Sequence, residues 1–133
     1  MVRRIMSDDE NERQKQRIRS ILHNGRRVEE VYPQIEKIEI SYLKGHNSFL
    51  GHNEKKGKWT ITPQSEMYFV INCLNRECTS IGFDLSGVVG SAIRSHETEV
   101  SGEMRCQGKE APDHPEQSCD GSLKYTIRIT YKK

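Results

Sequence analysis

Apolar residues are scarce in this chain. Only 33% of its 133 residues are hydrophobic, 7% are aromatic, and the mean hydropathy is -0.82. That leaves a thin core for a single small domain, and it makes any extra source of stability informative. No apolar run approaches the roughly 18–20 residues of a membrane-spanning helix, so no membrane partner is expected. No apolar stretch follows Arg3 and Arg4 either, so a secretory leader is not expected and a cytoplasmic location is. A strong excess of one charge is missing too. The net charge of +2 is too mild to imply nucleic-acid binding by itself. Gly82, Gly87 and Gly90 are not followed by the Lys-Ser/Thr of a phosphate-binding loop. No nucleophile with a recognisable base stands near His46 or His52, so the sequence does not point to an enzyme.

The residues that are present divide the chain. Residues 1–32 read as a charged helical segment, and residues 33–133 as a small α+β domain. Ser7 with Glu10 forms a capping box, and acidic residues load the first turn, so a helix is expected over 7–24. Its apolar positions, Ile18, Ile21 and Leu22, come late, so only its end is expected to dock. Gly25 stops it, and Pro33 closes the short stretch 26–32. Ile38, Ile40 and Tyr42 then alternate with Glu39 and Ser41 as in a strand.

Residues 43–57 read as a turn-rich loop carrying Gly45–His46–Asn47 and Gly51–His52–Asn53. Turn chemistry around a hairpin tip competes there with a functional histidine pair. Trp59 and Ile61 begin a short strand. Residues 67–73 form the most strand-like run, nearly all apolar. A helix follows at 86–96, with Ser86 as its cap and Val88, Val89, Ala92, Ile93 and His96 on one side. Asp84 with Ser86 is read as helix capping before it is read as an active-site pair. Residues 98–106 and 122–131 alternate, the latter most cleanly: Leu123, Tyr125, Ile127, Ile129 and Tyr131 oppose Lys124, Thr126, Arg128, Thr130 and Lys132. One face is buried and one is wet, which predicts a mainly antiparallel sheet with a helix between two pairs of cysteines.

Those cysteines carry the sharpest chemical signal. Four residues separate Cys73 from Cys78, a spacing common in metal sites, and twelve separate Cys106 from Cys119. A hairpin of 98–106 with 122–131 would place the second pair beside one loop. If 67–73 ran parallel to 98–106, with helix 86–96 as crossover, both pairs would meet at one end of the sheet. In a reducing compartment paired thiols favour metal over disulfide. Unrelated packing thiols, a Cys106–Cys119 disulfide, an iron–sulfur cluster, and His114 in place of one thiolate are the competing readings.

The arrangement of Cys73, Cys78, Cys106 and Cys119 at strand ends resembles zinc ribbons and related four-cysteine zinc-knuckle folds. It departs from them in its wider first knuckle and long second loop. The resemblance covers roughly the C-terminal half. It implies one structural Zn²⁺ bound by the four cysteines, with no open coordination position. Function is then expected in recognition, of nucleic acid or of a protein partner as an inhibitor or adaptor. Arg13, Lys15, Arg17, Arg19, Arg26 and Arg27 form one basic group; a solvated mixed-charge helix is the competing reading. Lys55, Lys56 and Lys58 beside Trp59 form a basic–aromatic group suited to stack on a base, against a hairpin turn leading a buried Trp.

Overall fold

The computed structural model describes residues 12–18, 25–48, 51–75, 78–111 and 114–133. Within them the chain is α+β and mainly antiparallel, as its alternation implies. Three helices are described: α1 (residues 12–18), α2 (Val28–Val31) and α3 (Ser86–Arg94). Strands β1 (Ile35–Ser48), β2 (Gly51–Ile61), β3 (Val70–Ile71), β4 (Phe83–Asp84), β5 (Glu99–Arg105), β6 (Lys109–Ala111), β7 (His114–Ser118) and β8 (Gly121–Tyr131) complete it. The main sheet has the order β2-β1-β8-β5, and β3-β4 and β6-β7 form two small ladders.

Ser7, Glu10, Arg19, Ile21 and Leu22 lie outside the described residues. In α1 the side chain removed from water is Lys15, 5% exposed, whereas Ile18 is 43% exposed. A long aliphatic stem can cover apolar surface, so a lysine takes the place expected of an isoleucine. Residues 26–32 join the core. Val28 is fully buried, its N–H donates to Ser65 O at 2.9 Å, and Met67 N–H donates to Arg26 O at 2.9 Å.

Two stretches differ from their sequence reading. Residues 43–57 are not a loop but the outer half of a long hairpin, paired from Ile38↔Ile61 to Ser48↔Gly51. Strand β8 pairs β1 on the other side, out to His46↔Gly121. Ladders on both sides of β1 satisfy its backbone, and that outweighs the weak strand preference of Gly, His, Asn and Lys. The apolar run 67–73, by contrast, contributes only the two residues of β3, which pair antiparallel with β4 rather than parallel with β5. Its continuous apolarity reflects burial as a covering segment, with Phe69 1% and Ile71 5% exposed. Helix α3 is therefore not a crossover between parallel strands.

The core lies between one face of the sheet and this cover. Ile38, Ile40, Ile61, Leu123, Ile127 and Ile129 face Phe69, Phe83, Leu85, Val89, Ala92 and Ile93 in one buried cluster. Leu85, fully buried, is the residue before α3, so Ser86 becomes its first residue rather than its cap. The Asp84 carboxylate accepts from the Ser86 N–H (2.9 Å) and hydroxyl (2.6 Å), which is the capping chemistry placed one residue earlier. Val88 is half-buried. His96 lies past the helix at φ 53 and stacks on Tyr131 with centroids 4.0 Å apart.

One row crosses all four strands on the core face: Gly57, Tyr42, Tyr125, Gly102. A Cβ on Gly57 would stand 2.3 Å from the Tyr42 ring, and one on Gly102 would stand 2.4 Å from the Tyr125 hydroxyl. Each tyrosine thus lies over the glycine of the outer strand, which replaces a missing side chain with an aromatic ring. Gly57→Ala and Gly102→Ala should each cost about 1–3 kcal/mol by overpacking. Gly87→Ala, in α3 with open space around it, should instead gain about 0.5–1 kcal/mol. Chemical denaturation of the three variants tests the opposite signs.

Candidate metal centre

The turn after β3 carries Cys73 and the loop before β4 carries Cys78. Cys106 follows β5, and Cys119 precedes β8. Antiparallel pairing of β5 with β8 brings the last two together, with Cys106 N–H donating to Gly121 O at 2.9 Å. The ladder β6-β7 shortens the path between them, and Cys119 N–H donates to Gly108 O at 2.9 Å. The first pair arrives by another route. Thr79 N–H donates to Lys109 O (3.1 Å) and Lys109 N–H to Thr79 Oγ1 (2.8 Å), which stitches the 78–80 loop to β6.

All four Sγ atoms lie within 4.8 Å of one another. The closest contacts, Cys78–Cys106 at 3.2 Å and Cys73–Cys119 at 3.7 Å, cross between the two sequence pairs. A tetrahedron of sulfurs about 2.3 Å from a central ion has edges of roughly 3.8 Å, so the set can hold one metal ion. Disulfide bonding requires about 2.05 Å, and all four cysteines are free. An iron–sulfur cluster would interpose several iron and sulfide atoms, and these sulfurs stand too close together for that. Packing thiols alone have no reason to converge.

Backbone donors favour the thiolate form. The Ser80 N–H donates to Cys78 Sγ at 3.3 Å, and the backbone N–H groups of Asn75 and Gly108 stabilise the Cys73 and Cys106 thiolates. Each of these three donors stands two residues after its cysteine, so one local turn is used three times. Asn75 Nδ2 adds a contact to Cys119 Sγ at 3.7 Å. Hydrogen bonds to a charged form lower the cost of its burial. Mutual sulfur contacts separate the four thiols. Those from Cys106 and Cys119 push Cys73 and Cys78 up, and contacts led by Cys119 pull Cys106 down. Cys119 settles at about 7, where the contact from Cys106 raises it and those from Cys73 and Cys78 lower it further. Cys78, Cys106 and Cys119 are buried, and Cys73 is half-buried.

Lys44 is a neighbour that sequence reasoning missed. Its ammonium donates to Asn72 O at 3.0 Å; burial and then Lys55 lower its pKa, while the Cys73 charge raises it. A cation there partly balances a cluster of thiolates. The only sequence signal was strand parity, which puts Lys44 on the core face two residues after Tyr42. His46, 7% exposed, stands opposite Gly121 in the register. His52 lies between Asn47 Oδ1 and Glu54 Oε1 (2.8 Å), a tie across the end of the hairpin. The side chain of His114 lies outside what is described.

The basic residues separate. Arg13 and Arg17 are exposed on α1, whereas Lys15 is buried 3.9 Å from Glu12. Arg26 and Arg27 lie in the segment bridged to residues 65–67, and Arg19 lies outside the described residues. Lys56 and Lys58 share the outer face of β2, and Lys55 points to the core side opposite Lys44. Register adds Lys124, two strands from Lys56 across Leu43. No ion pair holds Lys55, Lys56, Lys58 or Lys124 among the described residues. Trp59 pairs with Ile40 in the second strand of the hairpin and packs half-buried on the core, as a hairpin leading to a core-packed Trp implies. No helix among the described residues is long and apolar enough to cross a membrane. Compared with known protein families, curated proteins and solved structures, the chain gives no significant match.

Gly121 is, with Gly108, one of the two tight points of the site. A Cβ there would stand 2.6 Å from Cys73 Sγ and 3.4 Å from Cys119 Sγ. Gly121→Ala must move Cys73 Sγ, a candidate ligand, and metal affinity should fall by about the 10–100-fold typical of a disturbed ligand shell. Competition with a chromophoric chelator, with Gly87→Ala as control, measures it.

Proposed function

We propose that the chain is a non-catalytic recognition protein clipped by one structural zinc ion, with Cys73, Cys78, Cys106 and Cys119 as ligands. The carrying observation is the convergence of four sulfurs within 4.8 Å, three of them supported by backbone N–H groups. A tetrahedral four-sulfur set favours zinc among common ions, and four protein ligands leave no open position for chemistry. This is the zinc-ribbon type of site on a different chain path, since two strand ladders rather than two short knuckles assemble it. Reduced thiols are consistent with a cytoplasmic location.

Bound metal would supply structural energy only. Structural zinc contributes an apparent 10–16 kcal/mol or so in small domains, about as much as the whole stability of a typical fold. Protein purified without chelator should contain one zinc per chain by elemental analysis. Cys78→Ser or Cys106→Ser should abolish it and unfold the sheet end, read by circular dichroism. A stable, metal-free wild-type fold would refute the reading.

The ligand recognised is proposed to be nucleic acid. Support comes from Lys56, Lys58 and Lys124, three cations on the wet face of the sheet, with Arg13 and Arg17 as further candidates. Binding should weaken steeply with salt. Replacing the three lysines by Ala should reduce the slope of log K against log salt by about three for duplex or about two for single strands. Absence of binding to any DNA or RNA at low salt would end this reading. A protein partner is the second reading, favoured by the outer edge of β2, which carries no partner strand among the described residues. Recovery of one protein from nuclease-treated host lysate in a pull-down would support it.

A further inference from the structure

A second concavity lies away from the cysteines' own ligand shell, between the edge of β2 and the covering segment 68–72. It is a cleft of about 360 Å³, within the range of ligand sites, whose walls include Trp59, Tyr68 and Tyr42. Lys44 and Lys58 also line it, and Asn72 closes one side. Three aromatic rings in so apolar-poor a chain are a large share of its aromatic content to place around one opening. Trp59 is its only tryptophan, and it stays half-buried rather than sealed in the core.

The charge at the mouth is positive. Lys58 lines the cleft from the strand edge, and Lys56, two residues before it and about 7 Å along, shares its outer face, opposite the face that carries Trp59. That spacing is commensurate with successive phosphates of an extended single strand. Of the nearby acids, Glu39 is held by Lys37 at 3.0 Å with Lys58 acting on it from farther off, and Glu54 is held by His52 at 2.8 Å. Lys44 is held at the back, donating to Asn72 O, with its ammonium 5.9 Å from the centre of the Tyr42 ring.

We infer that this cleft takes one unstacked base of a single-stranded nucleic acid against Trp59 and Tyr68, with Lys58 and Lys56 on the flanking phosphates. The inference rests on the nucleic-acid reading and names the class of nucleic acid and the place. Aromatic faces stack on any base without sequence preference, and lysines along an edge follow a backbone without reading it. A duplex keeps its bases stacked and paired, so it cannot offer one to a slot of this kind. An acidic peptide would satisfy the lysines and leave the rings unused.

The sole tryptophan makes the test specific to the site. Metal-loaded full-length protein is titrated at low salt with a ten-nucleotide oligothymidylate, an oligouridylate, a blunt duplex of equal length and a polyglutamate of equal charge. Trp59 fluorescence and the anisotropy of labelled ligand are read together. Saturable quenching by the single strands, with affinity lowered about 5- to 150-fold by Tyr68→Ala and by Trp59→Ala, supports the cleft. Trp59→Phe, which keeps an aromatic face, should lose less, and circular dichroism checks that each variant is folded. A stronger response to oligouridylate than to oligothymidylate, or the reverse, assigns RNA or DNA within the supported class. Single strands that bind without quenching, and with unchanged affinity in Tyr68→Ala, overturn the cleft while leaving the nucleic-acid reading intact. Equal binding of duplex or polyglutamate also overturns it. No binding of any nucleic acid overturns both.

Discussion

Four sulfur atoms drawn to one point are the constraint on which this fold turns. They stand on segments that share little else: the turn after β3, the loop before β4, the end of β5 and the approach to β8. Bringing them within 4.8 Å fixes the covering segment, the central strand and the small β6-β7 ladder relative to one another. Four like charges so placed would repel, and nothing apolar nearby could offset that. Backbone N–H groups, the Lys44 ammonium and a bound cation can. The local turn that aims an N–H at the sulfur two residues earlier recurs at Cys73, Cys78 and Cys106, so backbone geometry lowers the cost of charge on these sulfurs.

Away from that end, the sheet relies on ordinary packing. Isoleucines and Leu123 on one face meet Phe69, Phe83, Leu85 and α3 on the other. Where the outer strands lack a side chain, Tyr42 and Tyr125 lean over Gly57 and Gly102. The opposite face stays wet and holds lysines, glutamates, threonines and serines. A thin core and an open polar face are two consequences of one composition. A chain with so few apolar residues can cover a four-stranded sheet on one side only, which leaves the other side for solvent or a partner.

Much of this was legible residue by residue. Alternation in 122–131 identified β8 and both its faces, and the spacing of Val89, Ala92 and Ile93 identified α3. The cysteines were visible as candidate ligands because their residue type and strand-end positions suffice. The path that unites them was not. Residues 67–73 looked like a central strand because continuous apolarity marks burial without marking a strand. Residues 43–57 looked like a loop because Gly, Asn and His are poor strand formers, yet ladders on both sides of β1 hold them extended. Lys15 and Lys124 show the same limit: a lysine's type does not say whether its stem is buried or which cation will stand two strands away.

The sequence by itself therefore determined the class of the fold, the wet and dry faces of its clearest strand, and the four residues able to bind a metal. These follow from period and residue chemistry, which act within a few residues along the chain. Tertiary structure alone decided that Cys73 meets Cys119 and Cys78 meets Cys106, that Lys44 backs the sulfur cluster, and that Trp59 and Tyr68 border one cleft. Each is a contact between segments far apart in the chain. Register, bulges and the choice of sheet neighbour set such contacts, and those depend on how every strand competes for partners at once.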